Sequence, residues 1–370
     1  MSLPDNQLSF SQEFPRRITV LRFPLLLLII AIHASHGTQL PELEPNSFFN
    51  SVFWRLFSHS AVPFYFLISG VFVTFKLGDM ESLSCRIFYR KRFFSLLVPY
   101  LLWNSIMAVP HLVLPLLFRH SPLLPAAKFP KYELWDVLLR TYGLNGELPI
   151  NVPLWFVRNL MLFCILAPFL VAPLRKLPVW ATLLIALALD LVPPFSGLSY
   201  FFLGMLLGLR KPALGWVDQG GLLWLGLAAA LPWLMTLAPK CPFVTIDGNS
   251  LRWTMFCFFS ALFFFAAGGW LLKAGRFILS WLTRLGDGTF FVFCLHAPVA
   301  TTLTRIFIHL AGNRVSPTWL FLLNIVLTTF LCYLVYGALQ RFASPLFAML
   351  NGSRPSRRTL DLDSQTPPRT

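Results

Sequence analysis

The chain has 370 residues, of which 56% are hydrophobic and only 12% charged, with a mean hydropathy of +0.67. Charged residues make up about a quarter of a soluble domain, so this composition excludes an ordinary soluble globule and describes a polytopic membrane protein. The net charge of +15 invites a nucleic-acid reading, but the cations are spread over short loops and a polar C-terminal segment, where membrane topology and anionic headgroups account for them.

Ten apolar segments read as crossings of a hydrocarbon core about 30 Å thick. They lie near 18–36, 57–76, 93–117, 152–174, 178–194, 196–209, 220–238, 251–272, 287–311 and 317–340, the fifth and sixth being the shortest. Residues 1–17 form an N-terminal segment, 18–347 the membrane domain and 348–370 a basic, disordered tail rich in Ser, Pro and Arg. Lys and Arg in short loops stay cytoplasmic. Arg16-Arg17, Lys76 to Arg92, Arg175-Lys176, Arg210-Lys211, Lys273 to Arg284 and Arg341 to Arg369 fall on alternate sides of successive segments, which makes both termini cytoplasmic. A signal peptide also opens on arginines before an apolar run, but no A-x-A-like site follows here and Arg22 lies inside the run. The six Cys lack C-x-x-C spacing and read as small buried hydrophobes.

In the first segment Arg22 and His33 are eleven residues apart, almost three helical turns, so both lie on one face roughly 16 Å apart along the axis. Ionisable groups at the centre of a bilayer cost at least about 2.5 kcal/mol each, which makes such a pair a functional-site candidate. The bland alternative has Arg22 snorkelling to one interface while His33 caps the other end. His36 partly shares this face and reads as a second member of the site or, preferably, as an interface residue. The basic run Arg86, Arg90, Lys91 and Arg92 enters the third segment. It reads as a topogenic anchor, or as a dock for the phosphates of coenzyme A, anions that Arg forks and Lys point charges hold well. The long loop 118–151 contains an amphipathic stretch, 132–139, expected to form a surface helix. Trp155 reads as an interfacial anchor or a sugar-stacking platform. His296 lies inside the ninth segment, as a satisfied structural residue or a functional one.

Five stretches carry a resemblance: Arg22 to His33; Val62-Pro-Phe-Tyr-Phe-Leu-Ile-Ser69-Gly70; Arg90-Lys-Arg-Phe-Phe-Ser-Leu-Leu-Val-Pro99-Tyr-Leu-Leu-Trp103; Leu154-Trp155-Phe-Val-Arg158-Asn159; and Leu285-Gly286 to His296-Ala-Pro298. In this order, over roughly 18–340, the chain resembles the membrane acyltransferase family 3. The resemblance implies an all-α integral membrane protein of about ten helices. It also implies an enzyme that takes an acyl group, usually acetyl, from cytoplasmic acetyl-CoA or another acyl-CoA, with no tightly bound cofactor. The implied acceptor is a hydroxyl on a bacterial surface glycan or its lipid-linked precursor, and the implied location is the bacterial inner membrane. By position His33 and Arg22 match the family's essential histidine and arginine. Arg92 matches the first arginine of its Arg-x-x-Arg motif, while the second falls on Ser95; Arg90 and Lys91 are the nearby cations for that role. Thr19 stands where many members have Asp. No soluble esterase-like domain follows the tenth segment, as in the stand-alone form.

The chemistry can also be argued from the side chains. Moving an acyl group from a thioester to a hydroxyl needs a base for the hydroxyl proton, and histidine, with an ordinary pKa near 6.5, suits that task. His33 is the choice, as base or as the site of an acyl-histidine. The oxyanion needs hydrogen-bond donors, for which Arg158, Asn159 and Ser69 are candidates. Arg22, too far down the helix to touch the same atoms, is assigned to the donor's pantetheine or phosphate end. The alternatives from other classes are a transporter or flippase, with Arg22, His33 and Arg158 lining a polar path, and a subunit relaying acyl groups to another enzyme.

Overall fold

In the computed structural model, residues 5–35, 58–77, 84–117, 133–144, 146–190, 197–237, 251–311 and 315–352 are described. Every regular element among them is helical. That is what a bilayer demands of a chain without a closed barrel, because only a helix satisfies its own backbone polar groups in hydrocarbon.

The first helix, α1 (Asp5–Ser35), is the longest at 31 residues. It is followed by α2 (Ala61–Leu77), then α3 (Ser84–Arg92), which runs through a π turn (Phe93–Leu97) into α4 (Val98–Leu117). Next come α5 (Leu134–Tyr142), a 3-10 turn (Val152–Leu154) continuous with α6 (Trp155–Lys176), α7 (Val179–Asp190) and α8 (Leu198–Arg210). The remainder is α9 (Gly215–Gln219), α10 (Gly221–Leu237), α11 (Leu251–Leu272), α12 (Arg276–Asp287), α13 (Thr289–Ala311), α14 (Pro317–Phe342) and α15 (Ser344–Leu350).

Among the described residues six stretches are long and apolar enough to cross a membrane: Phe10–Ala34, Arg86–Leu112, Val152–Lys176, Trp253–Leu272, Thr289–Leu310 and Thr318–Phe342. The four other expected segments coincide with α2, α7, α8 and α10, which run to only 17, 12, 13 and 17 residues. A perpendicular crossing takes about 20 residues, so length and composition alone do not make these four into spans. The expected surface helix is present as α5, with Leu134 and Trp135 exposed. It ends at Gly143, whose left-handed φ of 57° few side chains tolerate. Basic segments expected as plain loops contain helices of their own: α3 carries Arg86, Arg90, Lys91 and Arg92, and α12 carries Arg276 and Arg284.

Helix α1 is the spine of the assembly, packing against α11, α12, α13 and α14 and, less extensively, α2. Among the described helices the most extensive packing is that of α2 on α8. There Gly70 and the Gly204-x-x-x-Gly208 motif let backbones touch: a Cβ on Gly204 would lie 2.0 Å from the Leu67 carbonyl oxygen, and one on Gly70 2.1 Å from that of Phe201. At the other end of the chain α15 folds back on the bundle. Phe347 packs against Phe291 and Tyr336, the Trp103 indole donates to the Leu350 carbonyl at 3.1 Å, and Asn351 and Gly352 are buried beside Ser95. Residues 353–370, most of the segment read as a tail, and His36 and His120 lie outside the described residues.

Candidate active site

Arg22 and His33 project from the same side of α1, both half-buried. The helix is held there by what packs on it. Gly286, at the end of α12, lies against α1 between Thr19 and Arg22, where a Cβ would come within 3.3 Å of the Thr19 carbonyl oxygen and 3.8 Å of Arg22 Cβ. Ten residues later on α13, the His296 ring meets the His33 ring edge to face, with centroids 5.0 Å apart. The segment 285–298 therefore lies along α1 and touches both ends of its Arg–His face. A second element reaches the same face, for the Tyr65 hydroxyl on α2 donates to the Arg22 carbonyl at 3.2 Å.

His296 is fully buried. Its Nδ1 lies 2.7 Å from the Phe293 carbonyl oxygen, and since a carbonyl only accepts, Nδ1 carries the proton in the neutral ring. Nε2 is then the lone-pair nitrogen, and it has no hydrogen-bond partner. A buried acceptor left unmade costs about 1–3 kcal/mol. Aromatic rings run from the pair to α2: His296 on Phe293 (5.8 Å), Phe293 on Phe156 (5.9 Å), and Phe156 on Phe66 (4.4 Å). Trp155, half-buried at the start of α6, joins this wall at 6.0 Å from Phe66.

A family model described as an acyltransferase domain, that of acyltransferase family 3, matches residues 16–337. The chain belongs to acyltransferase family 3. The match begins before Arg22 and ends beyond His296, so both faces of the histidine contact fall inside the family domain. No curated protein and no solved structure matches the chain. The protein is thus a membrane acyltransferase.

The other expected site residues of the acyltransferase are distributed as follows. Arg158 donates through one guanidinium nitrogen to the Gly143 and Glu147 carbonyls, at 2.5 and 2.8 Å, and so clamps the loop after α5. The Ser69 hydroxyl donates within its own helix, to the Tyr65 carbonyl at 2.8 Å. Asn159 is buried. Arg86, Arg90 and Lys91 are exposed along α3, and Arg92 lies over the Phe88 ring at 5.1 Å, just before the π turn that contains Ser95. π turns occur mostly as single-turn interruptions and frequently mark functional sites. His59 and His111 are half-buried, and His309 is exposed.

Two residues of the acyltransferase escaped sequence reasoning. Arg17, read as one of a cytoplasmic basic pair, is 1% exposed and ion-paired. Its guanidinium binds both carboxylate oxygens of Asp218 on α9 (2.5 and 2.7 Å), Glu13 one turn back, and the Phe265 carbonyl on α11 at 2.9 Å. Gly269 makes room for it, since a Cβ there would lie 2.9 Å from an Arg17 nitrogen. The signal was Asp218 itself, a carboxylate in a basic loop of a chain with only 15 acidic residues. Asn151 is the other. It is buried just before the 3-10 turn, its backbone N–H donating to Asn104 Oδ1 at 3.1 Å and its carboxamide to the Cys294 carbonyl at 2.9 Å.

Proposed function

We propose that the His33–His296 pair moves an acyl group from a coenzyme A thioester to a hydroxyl of a cell-surface glycan or its lipid-linked precursor. His33 takes the proton of the acceptor hydroxyl as its oxygen attacks the thioester carbonyl. The tetrahedral intermediate collapses with cleavage of the carbon–sulfur bond, and the departing thiolate recovers that proton from the His33 imidazolium. The His296 ring, packed edge to face on the His33 ring, orients it. Arg22, roughly 16 Å away along α1, faces the phosphate or pantetheine end of the donor. The exposed cations of α3 receive the nucleotide, and Trp155 and Asn159 line the path to the acceptor.

The observation that carries this reading is the contact itself: two imidazoles from distant segments meet at 5.0 Å, one of them fully buried with an unmatched nitrogen. The acyl group is acetyl, the helices make ten crossings with both termini cytoplasmic, and the membrane is the bacterial inner membrane. The alternating basic loops support that topology.

The test joins two measurements. Mass spectrometry of the host's surface glycans, with and without the gene, identifies the acylated sugar. The purified protein is then given radiolabelled acetyl-CoA with and without that acceptor. Transfer that disappears in His33→Ala and in His296→Ala, with both variants present at normal levels, supports the reading. Undiminished transfer in either refutes the pair, absence of any turnover favours a transporter, and self-labelling without acceptor favours a relay.

A further inference from the structure

An internal proline removes one backbone donor from a helix, so the carbonyl four residues earlier loses its helical partner. In α13 that proline is Pro298, and the carbonyl is that of Cys294. Asn151 reaches it from another element, its carboxamide nitrogen 2.9 Å from the Cys294 oxygen in a fully buried contact. Because a carbonyl only accepts, the amide orientation is fixed: Nδ2 faces Cys294, and Oδ1 is left as a buried acceptor with no partner. The backbone of Asn151 is pinned in turn, its N–H donating to Asn104 Oδ1 at 3.1 Å while the Asn104 amide donates to the Tyr100 carbonyl at 2.9 Å. His296 stands between the freed carbonyl and the proline that frees it.

We propose that Asn151 is a positioning residue for His296. Its carboxamide supplies the hydrogen bond that Pro298 cannot, and so steadies α13 at the gap in its backbone ladder, where the His296 ring faces His33. This rests on the proposed role of the His33–His296 pair. Proline breaks leave a helix free to bend about the missing bond. A side chain fixed to α4 and donating into the break limits that bending, and a misplacement on the order of 1 Å at a reacting group can lower a rate by about a hundredfold.

The test is a double-mutant cycle between Asn151 and Pro298 in the full-length protein, read by kcat, KM and the melting midpoint in detergent. Pro298→Ala restores a backbone N–H that can serve the Cys294 carbonyl without Asn151. Asn151→Ala in the native background is expected to lower kcat about tenfold or more with KM within about twofold, and to lower the melting midpoint. Asn151→Asp, which keeps the shape but replaces the donor with an acceptor, is expected to be at least as damaging. In the Pro298→Ala background Asn151→Ala is expected to change neither kcat nor midpoint further. Equal losses in both backgrounds, or an Asn151→Asp variant as active as the native protein, overturns the proposal while the histidine pair stands. If His296→Ala retains full activity, both fall. Should Pro298→Ala be inactive, coupling in the midpoints decides: its presence supports the pairing and its absence overturns it.

Discussion

Removing the carboxylate from the Arg17 site should damage the protein more than removing the arginine. The guanidinium is 1% exposed, whereas the Glu13 and Asp218 side chains keep 36% and 25% of their surface. Asp218→Asn strands a buried cation on Glu13 and the Phe265 carbonyl. Breaking a buried pair that way costs about 3–5 kcal/mol, and the two surviving partners reduce this to about 2–3 kcal/mol. Arg17→Met strands two carboxylates instead, but both are already partly exposed, and an apolar side chain of similar length fills the slot beside Gly268 and Gly269. Solvent screening brings that loss down to about 1–2 kcal/mol. The double variant should recover part of the Asp218→Asn loss, since no uncompensated cation remains. Melting midpoints in one detergent, with the four proteins side by side, measure the order. An Arg17→Met variant less stable than Asp218→Asn, or a double variant whose loss equals the sum of the singles, would refute the asymmetry and mark the contact as a surface-like pair.

Replacing Arg90, Lys91 and Arg92 together with Gln should weaken coenzyme A thioester binding in detergent while membrane assembly persists; unchanged binding would return the cluster to a topological anchor. Gly204→Ala should lower both the melting midpoint and acyl transfer: its Cβ would sit 2.0 Å from the Leu67 carbonyl, forcing α8 off the helix that carries Tyr65 at a cost of about 1–3 kcal/mol. A wild-type midpoint would show that the α2–α8 contact tolerates separation. In sealed cells an impermeant thiol reagent should label a Cys introduced at Gly146 and leave one at Arg86 unlabelled, and the reverse order would overturn the proposed topology.

The helices were legible because a bilayer makes composition speak. Apolar runs, their punctuation by Arg and Lys, and the amphipathic stretch that became α5 are all local patterns. The Arg22–His33 face was legible for the same reason, as it needs only the helical period. What closes the site was not local. Nothing in the sequence around His33 names His296 as its neighbour, although the 285–298 segment was singled out, because the contact depends on α12 and α13 lying along α1. Arg17 was misread because a buried lysine or arginine and a topogenic one look alike in one dimension. Pro298 takes one helical donor away from the Cys294 carbonyl, but which side chain reaches that oxygen depends on a loop whose approach to α13 only the fold supplies.

The two charged regions of α1 divide its surface between them. Arg17 precedes Arg22 by five residues and His33 by sixteen, which on a helix turns it roughly 140–160° away from both. One side of α1 is therefore fastened to α9 by an ion pair and to α11 by a hydrogen bond, while the opposite side presents Arg22 and His33 to α12 and α13. An anchor at one end of the helix sets its depth and its rotation there, and in hydrocarbon little else resists sliding, because one apolar contact exchanges for another. A slip of one residue along the axis would move His33 by about 1.5 Å and turn it by about 100°, enough to lose the ring contact with His296. The buried arginine thus sets the depth and rotation at which the Arg22–His33 face meets α12 and α13.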